Sequence, residues 1–465
     1  MEFLKNVFNN VLGSADYIIY FIITIGILVF VHEFGHFAAA KIAKMRVDVF
    51  ALGFGKRLFG WNKLTGFTFG NLPTDLDLEG NTDYRLSLLP LGGYVKIAGM
   101  VDESFDTKFA NSEPQPYEFR SKGTLAKIFV ITAGVMMNLT LTLLIFWGIN
   151  FFQGKEIPKS TTIAGVDKGS IAEKAGFQSY DKIISINNNS VNDWDEVVQN
   201  IFVENQSGDV SLKLERNKEV VQLNLSRRFV TDNSQKGFFL FPSPVQAVVV
   251  DVIKNSPAED AGLKTDDLIL SLNGMSIKEG MQINEIISSN NEKSISVVLL
   301  RNNDTIRTNV KPASDGKIGI SHSVAYVGEI EYHTYGFFAS ITNAFIKAGD
   351  YTALTFSMLK NVITGKIAFN KAFGGPVKIA QFAVKSADTG PLSFLLFLAL
   401  LSLSLAIINI LPFPVLDGGH FVIILLEGIF RRELPIKIKM AIQNAGFVLL
   451  LLLMAFIIYN DIISL

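Results

Sequence analysis

Four long stretches of the chain lack charge almost completely: Tyr17 to Ala40, Ile128 to Gly154, Thr389 to Leu416 and Met440 to Asn460. A helix needs about 20 residues to cross ~30 Å of hydrocarbon, so each stretch predicts a membrane span. Basic residues beside them set the orientation. Lys41, Lys44, Arg46, Lys56 and Arg57 follow the first stretch, and Arg431, Arg432, Lys437 and Lys439 lie between the third and fourth. Such loops stay in the cytoplasm, which leaves both termini and the long segment between the second and third spans on the other side. The first stretch reads as a retained helix, because polar residues stand where a signal peptide would carry a small-residue cleavage site.

The remaining pattern is mixed. Asp83 to Leu89 alternates like a strand, Pro90 to Gly93 is turn chemistry, and Tyr94 to Ile97 can return, which predicts a hairpin. Its apolar residues, Leu86, Leu88, Leu89, Leu91 and Tyr94, favour a re-entrant hairpin packed among the helices over an ordinary cytoplasmic one. Ser170 to Asn187 and Ser256 to Asn273 are two copies of one pattern, 86 residues apart (Asp181 and Asp267; Asn187 and Asn273). Each copy has a short helix, a glycine at its end (Gly176, Gly262), an aspartate turn and an apolar strand running into an Asn turn. Lys366 to Ala387 mixes basic and apolar residues around Gly374-Gly375-Pro376, as an interfacial amphipathic segment does; it can serve as an anchor or as a gate.

Composition agrees with a membrane protein. The chain has 465 residues, 49% of them hydrophobic, and a mean hydropathy of +0.33. A net charge of -1 gives no basis for a nucleic-acid partner, and the absence of cysteine excludes disulfides and thiolate metal sites. The oligomeric state leaves no mark in the sequence.

Candidate chemistry lies inside the first span, at His32-Glu33-Phe34-Gly35-His36. Histidines four apart on a helix share a face and can reach one cation, while the glutamate between them can act on a water. Soluble helices also produce this short pattern by chance, but ionisable groups within an apolar span are costly and point to function. A catalytic zinc needs a third protein ligand and an open position. Asp417 offers one: it ends an uncharged run that two prolines, Pro412 and Pro414, must break, 381 residues after His36. His420 lies three residues further on and reads as a partner of the ligands or an interface residue, since a fourth protein ligand would make the zinc inert. His322 and His333 receive no role.

The two copies resemble PDZ domains of the bacterial protease type, over most of residues 160–322. In the second, Gly316, Gly319 and Ile320 would form the loop that takes a peptide carboxylate, as in circularly permuted PDZ domains; the first offers only Gly237 to Leu240. Such domains either capture peptides or exclude bulky substrates, and both uses stay open. The HExxH motif with Asn409-x-x-Pro412-x-Pro414-x-Leu416-Asp417-Gly418 resembles the site-2 protease family of intramembrane zinc metalloproteases. The likeness extends to Gly53-Phe54-Gly55, to Gly92-Gly93, to Gly134 through Asn138, and to Gly375-Pro376. It implies Zn2+ on His32, His36 and Asp417, Glu33 as general base, and substrate contacts from Asn409, Pro412, Pro414, Gly92 and Gly93. The family also leads one to expect a polar amide before Asn409, where this chain has only Ser402 and Ser404. Implied partners are membrane lipid and single-span proteins such as anti-sigma factors already trimmed on the outer side, or leftover signal peptides. The implied location is the bacterial inner membrane, with the active site toward the cytoplasm.

The expected fold is therefore a multi-pass α-helical membrane protein with four transmembrane helices, a membrane-associated hairpin and two extracytoplasmic α+β PDZ domains. Its expected segments are 1–154 (first two spans and hairpin), 155–240 and 241–325 (the repeats), 326–388 (amphipathic linker) and 389–465 (last two spans). A membrane-bound PDZ adaptor with a structural or vestigial zinc is the alternative. A metal transporter ranks below it, because the second and fourth spans carry only amides and hydroxyls such as Asn138, Gln443 and Asn444.

Overall fold

The structure is a computed structural model that describes residues 15–73, 76–100, 113–166, 168–204, 209–226, 229, 239–253, 255–277, 283–290, 293–302, 304–365 and 374–463. It divides into two compact units, one of residues 1–153 with 334–465 and one of residues 154–333.

The described residues of the first unit hold four helices long and apolar enough to cross a membrane: Asp16–Ile42, Thr124–Phe152, Pro391–Ile410 and Ile436–Asp461. The helices of this unit are α1 (Ala15–Ile42), α2 (Thr124–Phe152), α3 (Phe337–Ile363), α4 (Pro376–Thr389), α5 (Pro391–Ile410), α6 (Asp417–Phe430) and α7 (Ile436–Ile463). All four expected spans are present. The third ends at Ile410 rather than Leu416, because Pro412 and Pro414 cannot donate to a continuing helix, and the chain restarts as α6 at Asp417. The fourth begins at Ile436, earlier than its uncharged run, since Lys437 and Lys439 can extend their charges to the membrane surface.

Close packing of α1 on α2 depends on glycine. A methyl group at Gly35 would come within 2.8 Å of the Ala133 carbonyl carbon and of Met137 Cγ. Small residues let spanning helices approach where no hydrophobic effect drives them together.

The hairpin expected at Asp83 to Ile97 does not form: its two halves are one bent strand, and both pair with Val47–Asn62 instead of with each other, because Gly92 bends the chain without reversing it. Three strands, β1 (Val47–Asn62), β2 (Gly66–Phe69) and β3 (Asp83–Ile97), form one sheet in the order β2-β1-β3. Val47 to Leu52 pairs with Gly93 to Ile97, Val49 to Leu52 also pairs with Asp83 to Leu86, and Arg57 to Trp61 pairs with Tyr84 to Ser87. Both long strands therefore bend. β1 bends at Gly53 and Gly55 (φ 88° and 87°) and β3 near Gly92 (φ 153°), backbone conformations that suit glycine. The two bends meet where Phe54 pairs with Leu89, and Phe54, Leu88 and Leu89 are exposed there. Phe37 of α1 holds the sheet, with its ring centroid 5.4 Å from Phe50 and 5.7 Å from Tyr84. Arg57, read above as a topology signal, is buried and ion-paired to Asp83 at 3.1 Å.

Of the amphipathic segment, residues 366–373 lie outside the described residues, and the rest forms α4. Pro376 opens that helix, and Asp461 near the end of α7 accepts the Gly375 and Lys378 backbone N–H groups at 3.0 and 3.3 Å. A side chain at Gly375 would stand 2.6 Å from the Asp461 Oδ2 and Ile457 Cγ2 atoms. The long helix α3 was not expected, because Ser340, Asn343, Lys347 and Asp350 interrupt its hydropathy.

In the second unit the two copies are distinct folds of one design. Ser170 and Ser256 cap the short helices Ile171–Lys174 and Pro257–Asp260, accepting from the N–H groups of Glu173 and Glu259; the two glutamates return bonds to Gly169 N and Asn255 N. The first copy has a sheet of Asn189–Ser190, Lys182–Ile186, Val210–Arg216 and Glu219–Leu225 in that order. The second runs Asp304–Val310, Ile295–Arg301, Leu268–Leu272, Val245–Val252 and Ile320–Tyr326. Each packs its own apolar core, around Phe177 and Trp194 in one and Leu263 and Ile283 in the other.

The repeated aspartates have partners that the alignment of the copies hid. Arg216 forks onto Asp181 at 2.7 and 2.8 Å and Arg301 onto Asp267 at 2.6 and 2.7 Å, and each arginine also reaches the carbonyl of the helix-ending glycine. Both carboxylates are fully buried. Asp267→Ala strands Arg301 and is expected to destabilise the second copy by about 3 kcal/mol. Hydrogen exchange on the full chain in detergent checks this: Leu268–Leu272 should lose protection while Lys182–Ile186 keeps it.

Candidate metal centre

His32 and His36 lie one turn apart on α1, and Asp417 opens α6. Their donor atoms converge. His32 Nε2 lies 3.2 Å from His36 Nε2, Asp417 Oδ2 lies 3.2 Å from His32 Nε2, and His36 Nε2 lies 3.4 Å from Asp417 Oδ2. A tetrahedral zinc with ligand bonds of ~2.1 Å has ligand–ligand edges of about 3.4 Å, so the triangle fits one face of such a site. Asp417 Oδ2 is also buried and accepts no hydrogen bond, the mark of an oxygen that a cation would satisfy. Among the described residues this trio is a group of metal-type donors able to serve one ion.

The ring orientations suit that role. His36 Nδ1 donates to the Val130 carbonyl of α2 at 2.9 Å, which fixes the proton there and leaves the lone pair on Nε2. Gly134, one turn further along α2, makes room for both rings: a methyl group on it would stand 2.7 Å from His32 Cε1 and 2.9 Å from His32 Nδ1. Asp417 is placed by the broken helix before it. Gly418 packs so tightly on the end of α5 that a side chain would come within 2.6 Å of the Ile410 carbonyl, and Val415 adopts φ 79° to make the turn.

Glu33 lines the same cleft, with Val95 and Ile97 of β3, Met100 and Ile131. Gly93 lies over it; a methyl group there would be 3.0 Å from Glu33 Cγ and 2.7 Å from Val29 Cγ1. The bend of β3 thus sits against the motif helix, and glycine is what lets it approach. His420 borders the cleft but accepts from the Gln443 amide at 3.1 Å, which ties α6 to α7. Beyond Met100 and His420 a second cleft is walled by Lys127, Glu427, Glu433 and Lys439, paired as Lys127 with Glu433 (3.1 Å) and Lys439 with Glu427 (2.7 Å).

The other sequence candidates are more dispersed. Asn409 is half-buried in the last turn of α5, Pro412 is exposed and Pro414 half-buried, with Gly446 of α7 packed on it. Gly92 bends β3, and a side chain on it would strike the Phe54 ring. The serines before Asn409 do not replace the expected amide: Ser402 Oγ donates to the Asn138 carbonyl at 2.8 Å and Ser404 Oγ to Leu400 at 2.9 Å. In the second unit Gly316 and Gly319 adopt φ 75° and 83°, and Ile320 starts the edge strand beside Val245–Val252. Gly319 approaches the capping Ser256, whose Oγ would lie 2.6 Å from a methyl group on it. Of Gly237 to Leu240, positions 237 and 238 lie outside the described residues. Sequence reasoning missed the Val130 carbonyl, because a backbone acceptor leaves no residue signature.

The model of the family described as Peptidase family M50 matches residues 20–453. The chain is 30% identical over 463 residues to the Regulator of sigma E protease of Haemophilus influenzae, covering 96% of this chain and 98% of that one. It is 30% identical over 461 residues to the Regulator of sigma-E protease RseP of Salmonella typhimurium, covering 95% and 97%. Protease RseP of Yersinia pestis is likewise 30% identical, over 464 residues and 97% of its length. With the match running from the first span into the last and the relatives aligned nearly end to end, the chain belongs to peptidase family M50, the site-2 proteases, and is a membrane metalloprotease.

Proposed function

We propose that the chain is a zinc endopeptidase that cleaves single-span membrane proteins within the bilayer, with His32, His36 and Asp417 as ligands and Glu33 as general base. The observation that carries this reading is the triangle of two imidazole nitrogens and a carboxylate oxygen, with edges of 3.2 to 3.4 Å, beside Glu33 in a membrane-length helix. Zinc bound there supplies Lewis acidity, which brings a water's pKa to about 7 and polarises a carbonyl. Glu33 takes the water's proton and delivers it to the leaving nitrogen.

A helical substrate hides its carbonyls in its own hydrogen bonds and must unwind before attack. The Gly93 to Ile97 half of β3 lines the cleft, and its outer edge can receive the unwound segment as an added strand. Asn409 is the amide we assign to the substrate backbone, with Pro412 and Pro414 holding the broken turn. The relatives' names tie them to sigma-E regulation, and on that basis we assign anti-sigma-factor-like single-span substrates trimmed on their outer side, with remnant signal peptides as a second class. The charge bias of the loops supports an inner-membrane orientation with both termini outside. We read the two repeats as circularly permuted PDZ domains on the outer side that select what enters, the second through Gly316, Gly319 and Ile320.

The test is reconstitution of the purified chain with a single-span substrate, with and without a zinc chelator. Glu33→Gln should lower cleavage by about 10²–10⁴-fold with zinc content unchanged, and full residual cleavage would overturn the mechanism. Gly134→Ala pushes a methyl group against His32 and should weaken zinc retention by about tenfold or more, measured by metal analysis after dialysis against a weak chelator.

A further inference from the structure

One polar contact beside the cradle is unexplained by the roles above. Asn138 is fully buried on α2, and its carboxamide Nδ2 lies 3.2 Å from His32 Nδ1, while its Oδ1 is buried with no hydrogen-bond partner. His32 Nε2 faces His36 Nε2 and Asp417 Oδ2, so a ligand lone pair must sit on Nε2 and the ring proton on Nδ1. An Nδ1–H cannot receive a second donor. A carboxamide exchanges its oxygen and nitrogen by a half-turn of its last torsion, and hydrogen bonding decides which way it stands. The half-turned amide gives Nδ1–H an acceptor and gives the stranded Oδ1 a donor. In the opposite arrangement Asn138 donates to Nδ1, the proton moves to Nε2, and the cradle loses one of its three lone pairs.

We infer that Asn138 is a positioning residue whose carboxamide oxygen accepts the His32 Nδ1 proton and so holds His32 in its metal-facing tautomer. It does for His32 what the Val130 carbonyl does for His36. Val130, Gly134 and Asn138 are spaced four apart and lie on one face of α2 as acceptor, gap and acceptor for the two rings. Asn138 is itself held in place. Its backbone carbonyl accepts from Ser402 Oγ at 2.8 Å and from Thr142 Oγ1 at 3.1 Å, both fully buried hydroxyls, one of them on α5. Lost outer partners of metal-binding histidines typically cost 10–100-fold in affinity.

The inference rests on the zinc reading above, and the test separates the two. Zinc affinity of the detergent-purified full chain is measured by competition with a chromophoric chelator, beside the visible absorption of the cobalt-substituted protein, for the parent, Asn138→Leu and Asn138→Asp. Leucine keeps the volume without an acceptor, and aspartate can only accept. The expected result is about 10–100-fold weaker zinc binding for Asn138→Leu with an altered cobalt spectrum, and binding near the parent's for Asn138→Asp. Parent-like affinity in Asn138→Leu overturns the inference alone. So does a folded Asn138→Asp that binds weakly, a result readable even where the leucine variant fails to fold. A parent that binds no zinc overturns the metal reading itself.

Discussion

Two imidazoles and a carboxylate set inside apolar helices must find partners there, because hydrocarbon offers none. Much of the first unit follows from that need. α1 brings the histidines, the proline break after α5 delivers Asp417, and α2 supplies what the ring nitrogens on the far side require. The three elements are packed at distances that only glycine permits, at Gly35, Gly134 and Gly418. The site is thus held by the absence of side chains as much as by their presence. Each of these glycines removes a methyl group that would push a helix away from the donors.

The sheet beside α1 obeys the same economy. Its strands are long enough to stand as a separate platform, yet both bend, so that the stretch from Gly93 to Ile97 lies along the motif helix and walls the cleft. Arg57, buried between strands, is neutralised by Asp83 and by the Thr68 and Gly70 carbonyls at 3.0 and 2.7 Å. An arginine can be buried when its fork finds both a carboxylate and carbonyls. Polar groups in this unit are accordingly bound to one another near the cleft, and the apolar tip at Phe54, Leu88 and Leu89 is left outward.

The four spans were legible because a water-soluble fold seldom needs an uncharged run of membrane length. The donor trio was legible because the ionisable residues His32, His36 and Asp417 stand where they cost most, as does Glu33 beside them. The doubling of residues 170–187 was plain, but its arginines were not: Asp181 and Asp267 are 86 apart, Arg216 and Arg301 only 85, and a one-residue slip breaks a simple overlay. β1 was hidden because its bends at Gly53 and Gly55 interrupt the alternation that announces a strand. α3 carries too many polar residues to look like a span and too many apolar ones to look like a surface helix. Asn138 had a signal, its four-residue spacing from Gly134, but a spacing acquires meaning only when the opposing ring is in view.

The order of the donors along the chain has a consequence for biosynthesis. His32 and His36 stand in the first helix among the described residues, while Asp417 emerges only when most of the polypeptide has been synthesised. Until then the nascent chain has two imidazoles and no triangle. The third of the proposed donors is thus translated after the sheet and both repeats, and the triangle can close only then.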